Sequence, residues 1–382
     1  MPRQPKTVYV LGAGFSMSAG APRQSDIMSI ILRLPDHIAG VPERKERFSR
    51  FLKEALGIRP PHNEKAYLED VYTPMDRCIS DDLSLRGVDL GRLTEVRGDM
   101  EYLIAQAIEH HVETKADRND RYIPAFAQYL VNLASERTRR TGERSAERTK
   151  GHDPFAVISL NWDILLDKAL DAALRNKDSH LDSLDDYSPI GVVDYCCYIS
   201  SVDANDKRVR SGLWTLGAGG YNVKLLKVHG SMNWLQCPTC QRLFTDFTGK
   251  HVVTNVLNPA DCRHCLKHHG PVKLRSSLVM PTFLKDLSNF QIKLVWQNAG
   301  VEIMEADKLV FIGYSLPQAD FEFRSLLSRM KHKEAKIEVV LDRGEANSAA
   351  TQYKQFFAGH DVSFPAEGVI QYTRRLFGDP TI

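Results

Sequence analysis

Apolar residues along this chain fall into two textures. From residue 155 onward they come as short runs, charged only at Lys224, Lys227 and Glu338: Phe155–Leu160, Val223–Val228, Leu278–Met280, Leu309–Ile312 and Ile337–Leu341. The opening run Val8-Tyr9-Val10-Leu11 has the same character. Short runs of apolar β-formers are what strands buried on both faces require, so six strands are predicted. Between residues 22 and about 150 the pattern changes to helical spacing, with segments around Ile27–Leu34, Arg47–Leu56, Glu64–Cys78, Met100–His111 and Tyr122–Leu133. Pro35, Pro42, Pro60-Pro61 and the polar run Asp117–Arg121 mark loops among them. Strands alternating with helices predict an α/β fold, a Rossmann-like parallel sheet with helices on both faces. The helical stretch reads as an insertion.

Two polar regions interrupt this plan. Residues 176–222, rich in Asp, Ser and Gly, are expected to form a surface excursion, with Cys196-Cys197 in a short strand over 194–199. Glu136–Lys150 carries six basic and three acidic residues and almost no apolar ones, the composition of a solvated helix end and linker. The whole chain of 382 residues has a net charge of +2, which gives no electrostatic case for nucleic acid as the main ligand. No apolar run reaches membrane-spanning length and nothing resembles a signal peptide, so a soluble, cytoplasmic protein is expected.

Chemistry concentrates where the predicted strands end. Gly12-Ala13-Gly14 follows the first strand and precedes Phe15, Ser16 and a helix start, an arrangement that offers backbone N–H groups to a phosphate. The dinucleotide fingerprint is incomplete, because Met17 stands at its third glycine. The other strand ends deliver Asn161-Trp162-Asp163, His229-Gly230-Ser231, Pro281-Thr282, Gly313-Tyr314-Ser315 and Asp342. Taken singly, Asn161 or Asp163 is an ordinary helix N-cap and His229 a structural histidine. Ligands of parallel sheets bind beyond the carboxyl ends of the strands, so these sites are expected to converge on one rim. Seven cysteines include Cys237-x-x-Cys240 and Cys262-x-x-Cys265, with 21 residues between the inner pair. Two such turns close a tetrahedral zinc site with no open position, so the metal is expected to be structural.

In order and in residue type, these motifs resemble the sirtuin-like domain family, and more closely its bacterial anti-phage defence branch. The resemblance rests on Gly12–Ser16 with Gly20-Ala21-Pro22, on Leu160–Asp163, on Lys227–Ser231, on the paired Cys-x-x-Cys turns, and on Pro281-Thr282 and Gly313–Pro317. It implies a division into residues 1–34 with 151–382 as the NAD-binding domain, 35–150 as a helical module, and 232–275 as a zinc-ribbon insertion. It also implies NAD as ligand. Gly12, Ala13, Gly14, Phe15 and Ser16 would hold the pyrophosphate, with Thr282, Gly313, Tyr314, Ser315 and Asp342 completing the cofactor site. Asn161, Asp163 and His229 would surround the nicotinamide ribose as the catalytic group.

Deacylating sirtuins carry Phe-Gly-Glu soon after the zinc module, where a peptide docks as an added strand. This chain has Val279-Met280-Pro281-Thr282-Phe283-Leu284-Lys285 there, which favours water as acceptor. The resemblance therefore implies an NAD+ glycohydrolase that releases nicotinamide and ADP-ribose. An NAD-dependent deacylase, an ADP-ribosyltransferase and an idle NAD or ADP-ribose sensor stay open. It further implies self-assembly or a hexameric HerA-type ATPase partner, since an enzyme that destroys NAD must be held silent.

Overall fold

In the computed structural model the described residues are 5–115, 119–140, 153–177, 191–204, 206, 208–217, 220–247, 251–282, 285, 287–331 and 334–377. Residues 141–150 of the expected linker, 178–190 of the polar stretch, and Phe283 and Leu284 lie outside them.

Val8, Tyr9, Val10 and Leu11 are all buried, and they form the central strand β1 (Thr7–Leu11). It pairs in parallel with β2 (Phe155–Ser159) on one side and with Lys308–Ile312 on the other. Each fully buried aliphatic side chain here contributes roughly 1.5–3 kcal/mol relative to exposure, which is why a charge-free run seeks this position. In chain order the remaining strands are β3 (Gly191–Asp194), β4 (Ile199–Ser201), β5 (Tyr221–Lys227), β6 (Gly230–Gln236), β7 (Leu243–Thr245), β8 (Arg275–Leu278), β9 (Lys308–Ile312), β10 (Lys336–Val340) and β11 (Val362–Ser363). Seven of them build one all-parallel sheet in the order β11-β10-β9-β1-β2-β5-β3. The expected parallel Rossmann-like architecture is what the chain forms.

Its composition differs from expectation in three places. The run Leu278–Met280 is not a strand of the main sheet: the strand is β8 (Arg275–Leu278), which begins three residues earlier, and it pairs antiparallel with β6. The reason is visible at Gly230, where φ is +70° and a Cβ would overlap the carbonyl oxygen of Ser277. The chain turns sharply after β5 and runs directly into a second sheet, β4-β7-β6-β8. The polar stretch 176–222 is more than an excursion, since it supplies β3 to the main sheet and β4 to the small one. Cys196 and Cys197 lie in the turn between those two strands, Cys196 with φ +55°, and not in a strand.

Helices α1 (Ala13–Met17), α2 (Gln24–Arg33), α3 (Val41–Glu54), α4 (Leu68–Ser80), α5 (Leu90–Thr114) and α6 (Tyr122–Arg140) fill the first part of the chain. Among the described residues from 22 to 140 no strand forms. Apolar faces of α2 to α5 share one core that also takes in Val252, Val253, Leu278 and Met280. Helix α6 packs instead in the core of the main sheet, through Tyr122, Phe126 and Leu130 among others.

The loops after β1 and β9 meet backbone to backbone. Gly12 and Gly14 donate their N–H groups to the carbonyls of Ile312 (3.1 Å) and Gly313 (2.8 Å). A Cβ on Gly14 would stand 2.7 Å from the Gly313 Cα, and one on Gly313, whose φ is +63°, would overlap the Phe15 amide. Gly313→Ala is therefore expected to lower the unfolding free energy by about 3 kcal/mol or more, joining overpacking to left-handed strain. Gly87→Ala is the control: φ is +83° but nothing lies within 4 Å, so strain alone should cost about 1–2 kcal/mol. Chemical denaturation measures both, and equal losses would contradict the interlock.

Candidate active site

Beyond the carboxyl ends of β1, β2, β5, β9 and β10 runs an open cleft of 840 Å³, within the roughly 300–1,000 Å³ usual for cofactor and substrate sites. Gly12, Ala13, Gly14, Asn161, His229, Gly313, Tyr314, Ser315 and Asp342 all line it. An inner pocket of 80 Å³ continues from it, lined by Ala13, Asn161, Asp163 and His229 with Trp162, Lys285 and Asp320. Residues more than three hundred positions apart thus face one space.

Three of the sequence-derived site residues stand elsewhere. Phe15 is 1% exposed and packs edge-on against Tyr122 and Phe126, so it holds the glycine turn from beneath. Ser16 is buried as well, and its Oγ accepts from Asn161 Nδ2 at 3.1 Å. Thr282 is 1% exposed and lines neither cavity. Its run follows β8 of the small sheet, and its neighbours Val279, Met280 and Pro281 line the inner pocket while Thr282 itself does not. The glycine turn also differs from a bare phosphate cradle. The amides of Gly12, Gly14 and Phe15 already donate to the carbonyls of Ile312, Gly313 and Gly12.

Asn161 enters the cleft from the loop after β2. Its Nδ2 donates to the Gly12 carbonyl at 2.9 Å and to Ser16 Oγ, which ties the β2 loop to the β1 loop. Both bonds use the amide nitrogen, so Oδ1 is the atom left to accept from a hydroxyl or water. Asp163 behaves partly as a cap, its Oδ1 accepting from the Leu165 N–H at 3.1 Å. Burial pushes its carboxyl up, against the pull of the Lys227 ammonium. Lys227 is 1% exposed; its Nζ donates to the Asp163 carbonyl at 2.5 Å and pairs with Asp167 at 3.2 Å, and Asp167 accepts from Tyr195. This buried network fixes the loop that carries Asn161 and Asp163.

His229 lies between β5 and β6. Its Nδ1 donates to the Leu160 carbonyl at 3.1 Å, and Trp162 Nε1 donates to the carbonyl of His229 itself at 3.1 Å. Nε2 is therefore the ring nitrogen turned to the pocket, 3.3 Å from Asp320 Oδ1. Lys285 Nζ lies 3.1 Å from the same oxygen, and Tyr314 Oη donates to Asp320 Oδ2 at 3.0 Å. Burial alone would raise the Asp320 carboxyl, but His229 and Lys285 outweigh it and hold it well below the usual carboxylate range. The sequence assigns no site role to Asp320, and Trp162 and Lys285 stand in its motifs without one; Gln24 and Glu69, likewise without an assigned role, reach the cleft from the helical region joined by a 2.6 Å hydrogen bond. Asp320 carried one signal: an acid placed just before a helical run, where it passes for an N-cap.

The four cysteines gather away from this cleft. Cys237 and Cys240 follow β6, while Cys262 and Cys265 open the short helix Arg263–His268. Their sulfurs all lie within 4.8 Å of one another, with Cys237–Cys265 at 3.6 Å and Cys240–Cys262 at 3.7 Å. A tetrahedron with Zn–S bonds of about 2.3 Å has edges of about 3.8 Å, so the donor set fits zinc. Leu235, Phe244 and Leu274 pack around it, and no coordination position is open to substrate. Metal analysis should find about one zinc per chain. Its removal by a chelator is expected to lower the melting temperature by about 5 °C or more, because binding energy at such sites is folding energy. A chain that melts identically without zinc would contradict a structural role.

Fold and site together define a parallel α/β domain with a cofactor-sized cleft at its strand ends and a separate four-cysteine module. No protein-family model matches the sequence, and no curated protein matches it. Among solved structures the chain is similar to a Sir2 homologue mutant in complex with ADP-ribose, at 13% identity and TM-score 0.39, covering 98% of this chain and 92% of that one. It is similar also to Sir2 with a p53 peptide and NAD+, at 14% identity and TM-score 0.35 over 98% and 92%. A structure of Sir2 enzymes described for their mechanism and regulation gives 13% identity and TM-score 0.38 over 98% and 91%. Scores this low describe a loose overlap, so what the site does is argued from this chain's own residues. Among the described residues no helix is long and apolar enough to cross a membrane.

Proposed function

We propose that this chain is an NAD+ glycohydrolase, cleaving NAD+ to nicotinamide and ADP-ribose and depleting it in anti-phage defence. The observation that carries the reading is the single cleft that joins Gly12–Gly14, Gly313–Ser315 and Asp342 to Asn161 and His229. An elongated dinucleotide has the length to use both ends of such a cleft. The sirtuin-like order of the motifs adds NAD+ as the ligand class.

Hydrolysis of this bond passes through an oxocarbenium-like transition state, so positioning and charge stabilisation contribute most. Asn161 Oδ1 orients a ribose hydroxyl or the attacking water. The water oxygen bonds to the anomeric carbon as the carbon–nitrogen bond breaks, and nicotinamide leaves with the bonding pair. The proton that water sheds is taken up at His229 Nε2, acting as general base. Lys285, tied to Asp320 and Glu322, stands in the segment where deacylating sirtuins dock a peptide, which supports water over an acyl-lysine as acceptor. The HerA-type ATPase partner and self-assembly belong to the same proposal as its means of control.

Nicotinamide release from NAD+ alone, with and without a HerA-type ATPase, tests the reading. Release without any peptide is expected, and Asn161→Ala and His229→Ala should each lower the rate about 100-fold or more. Release only on adding an acyl-lysine peptide would make the protein a deacylase. No release in either arm, with both variants indistinguishable from the wild type, would make it a sensor.

A further inference from the structure

A net charge close to balance conceals a division along the chain. Between Cys237 and Arg275 six lysines and arginines stand against two acids, and the remainder is slightly acidic. Both acids are engaged away from the cysteine turns. Asp261 pairs with Lys273 at 3.0 Å, and Asp246, which follows β7, lies within electrostatic reach of Arg208. Arg242 precedes β7 and so stands at the other end of that strand. Zinc on four thiolates is net anionic, but Cys237, Cys262 and Cys265 are buried, while the cations of the module stand on its outer face.

Arg242 lies in a continuous strip of cations and exposed rings. Its guanidinium sits over the Tyr198 ring, 4.7 Å from the centroid, and Tyr198 is still 54% exposed. The neighbouring Gln241 accepts from the Phe290 N–H at 3.0 Å, which brings in Phe290, 56% exposed at the start of the helix Phe290–Glu305. Lys293 is exposed on the same helix, one turn beyond Phe290. Towards the cysteines, Arg242, Lys267 and His268 all act electrostatically on His264, whose ring lies 5.0 Å from that of His268. Among the described residues neither Arg242, Lys267 nor Lys293 is paired with a carboxylate.

Rings left in water beside unpaired cations suit a ligand that brings negative charge and flat surfaces together. A single-stranded nucleic acid does so, with a phosphate at every nucleotide and an open π-face on every base. An acidic protein segment brings the charge without the rings, and a duplex keeps its bases stacked inside. We propose that this strip binds single-stranded nucleic acid, its phosphates on Arg242, Lys267 and Lys293 and its bases stacked on Tyr198 and Phe290. None of these residues lines the cleft, so the proposal stands apart from the hydrolase reading.

Fluorescence anisotropy of the zinc-loaded chain tests it, with labelled oligothymidylate and oligouridylate of about 15 nucleotides. Binding is expected at about 50 mM salt, log affinity falling against log salt with a slope of about −2, roughly 0.7 for each of three phosphate contacts. Arg242→Gln with Lys267→Gln should weaken binding about 10-fold or more and bring the slope to about −0.7. Tyr198→Ala should weaken the oligonucleotide about fivefold or more, yet leave inorganic polyphosphate, which has charge but no bases, unchanged. Thermal melting checks that each variant folds. If Tyr198→Ala does not, Phe290→Ala is measured in its place with the same expectation. Binding of only one of the two oligonucleotides upholds the proposal and names the sugar recognised. No binding of either, a duplex bound as tightly as the single strand, indifference to the charge substitutions, or equal effects of Tyr198→Ala on oligonucleotide and polyphosphate would overturn it.

Discussion

Gly14 donates to the carbonyl of Gly313 at 2.8 Å, and there is no room for a side chain between the two loops. That contact brings the end of β1 against the end of β9. It also exposes Ala13 on one side and Tyr314 and Ser315 on the other to a common cleft. Asn161 extends the join to a third strand by donating to Gly12, and His229 reaches a neighbour of Asn161 through the Leu160 carbonyl. Backbone-to-backbone and side-chain-to-backbone bonds therefore stitch the rim together before any ligand arrives. A site held this way is preorganised, and preorganisation is what charge-stabilising catalysis demands.

Buried ion pairs hold the next layer. Lys227 under the Asn161–Asp163 loop is matched by Asp167, and Lys6 beneath β1 is matched by Glu302 at 2.6 Å and Glu305 at 2.7 Å. Such pairs are a weak source of net stability, since desolvation offsets much of the attraction. Breaking one leaves a bare buried charge, at about 3–5 kcal/mol. Their effect is to fix position. Lys227 does this for the Asn161–Asp163 loop, and the Lys285–Asp320–Tyr314 group does it for the inner pocket.

Much of the fold was legible in the sequence because strands buried on both faces leave an unmistakable apolar run. The runs at residues 8, 155, 223, 309 and 337 all became neighbours in one sheet. The run at 278 carried the same signal but belongs to the small sheet, since local apolarity does not report which sheet a strand joins. The edge strands β3 and β11 are only four and two residues long, too short for periodicity to mark. Glycines 12, 14 and 313 were recognisable as special, yet their reason is mutual contact as much as room for a phosphate. Phe15 and Ser16 came with the motif and turned out to support it from below. Asp320 and Lys285 were missed because their partners lie far away in sequence, and an acid before a helix looks like a cap until its side chain is seen to face elsewhere.

The central claim is that loops from five strands act as one ligand site. Amide hydrogen exchange with and without ADP-ribose tests it most directly. The account predicts that protection rises together in the segments around residues 12–16, 161–163, 228–230, 313–316 and 342, with the four-cysteine module unchanged. Protection confined to one of these segments, or spread over the cysteine module instead, would contradict it.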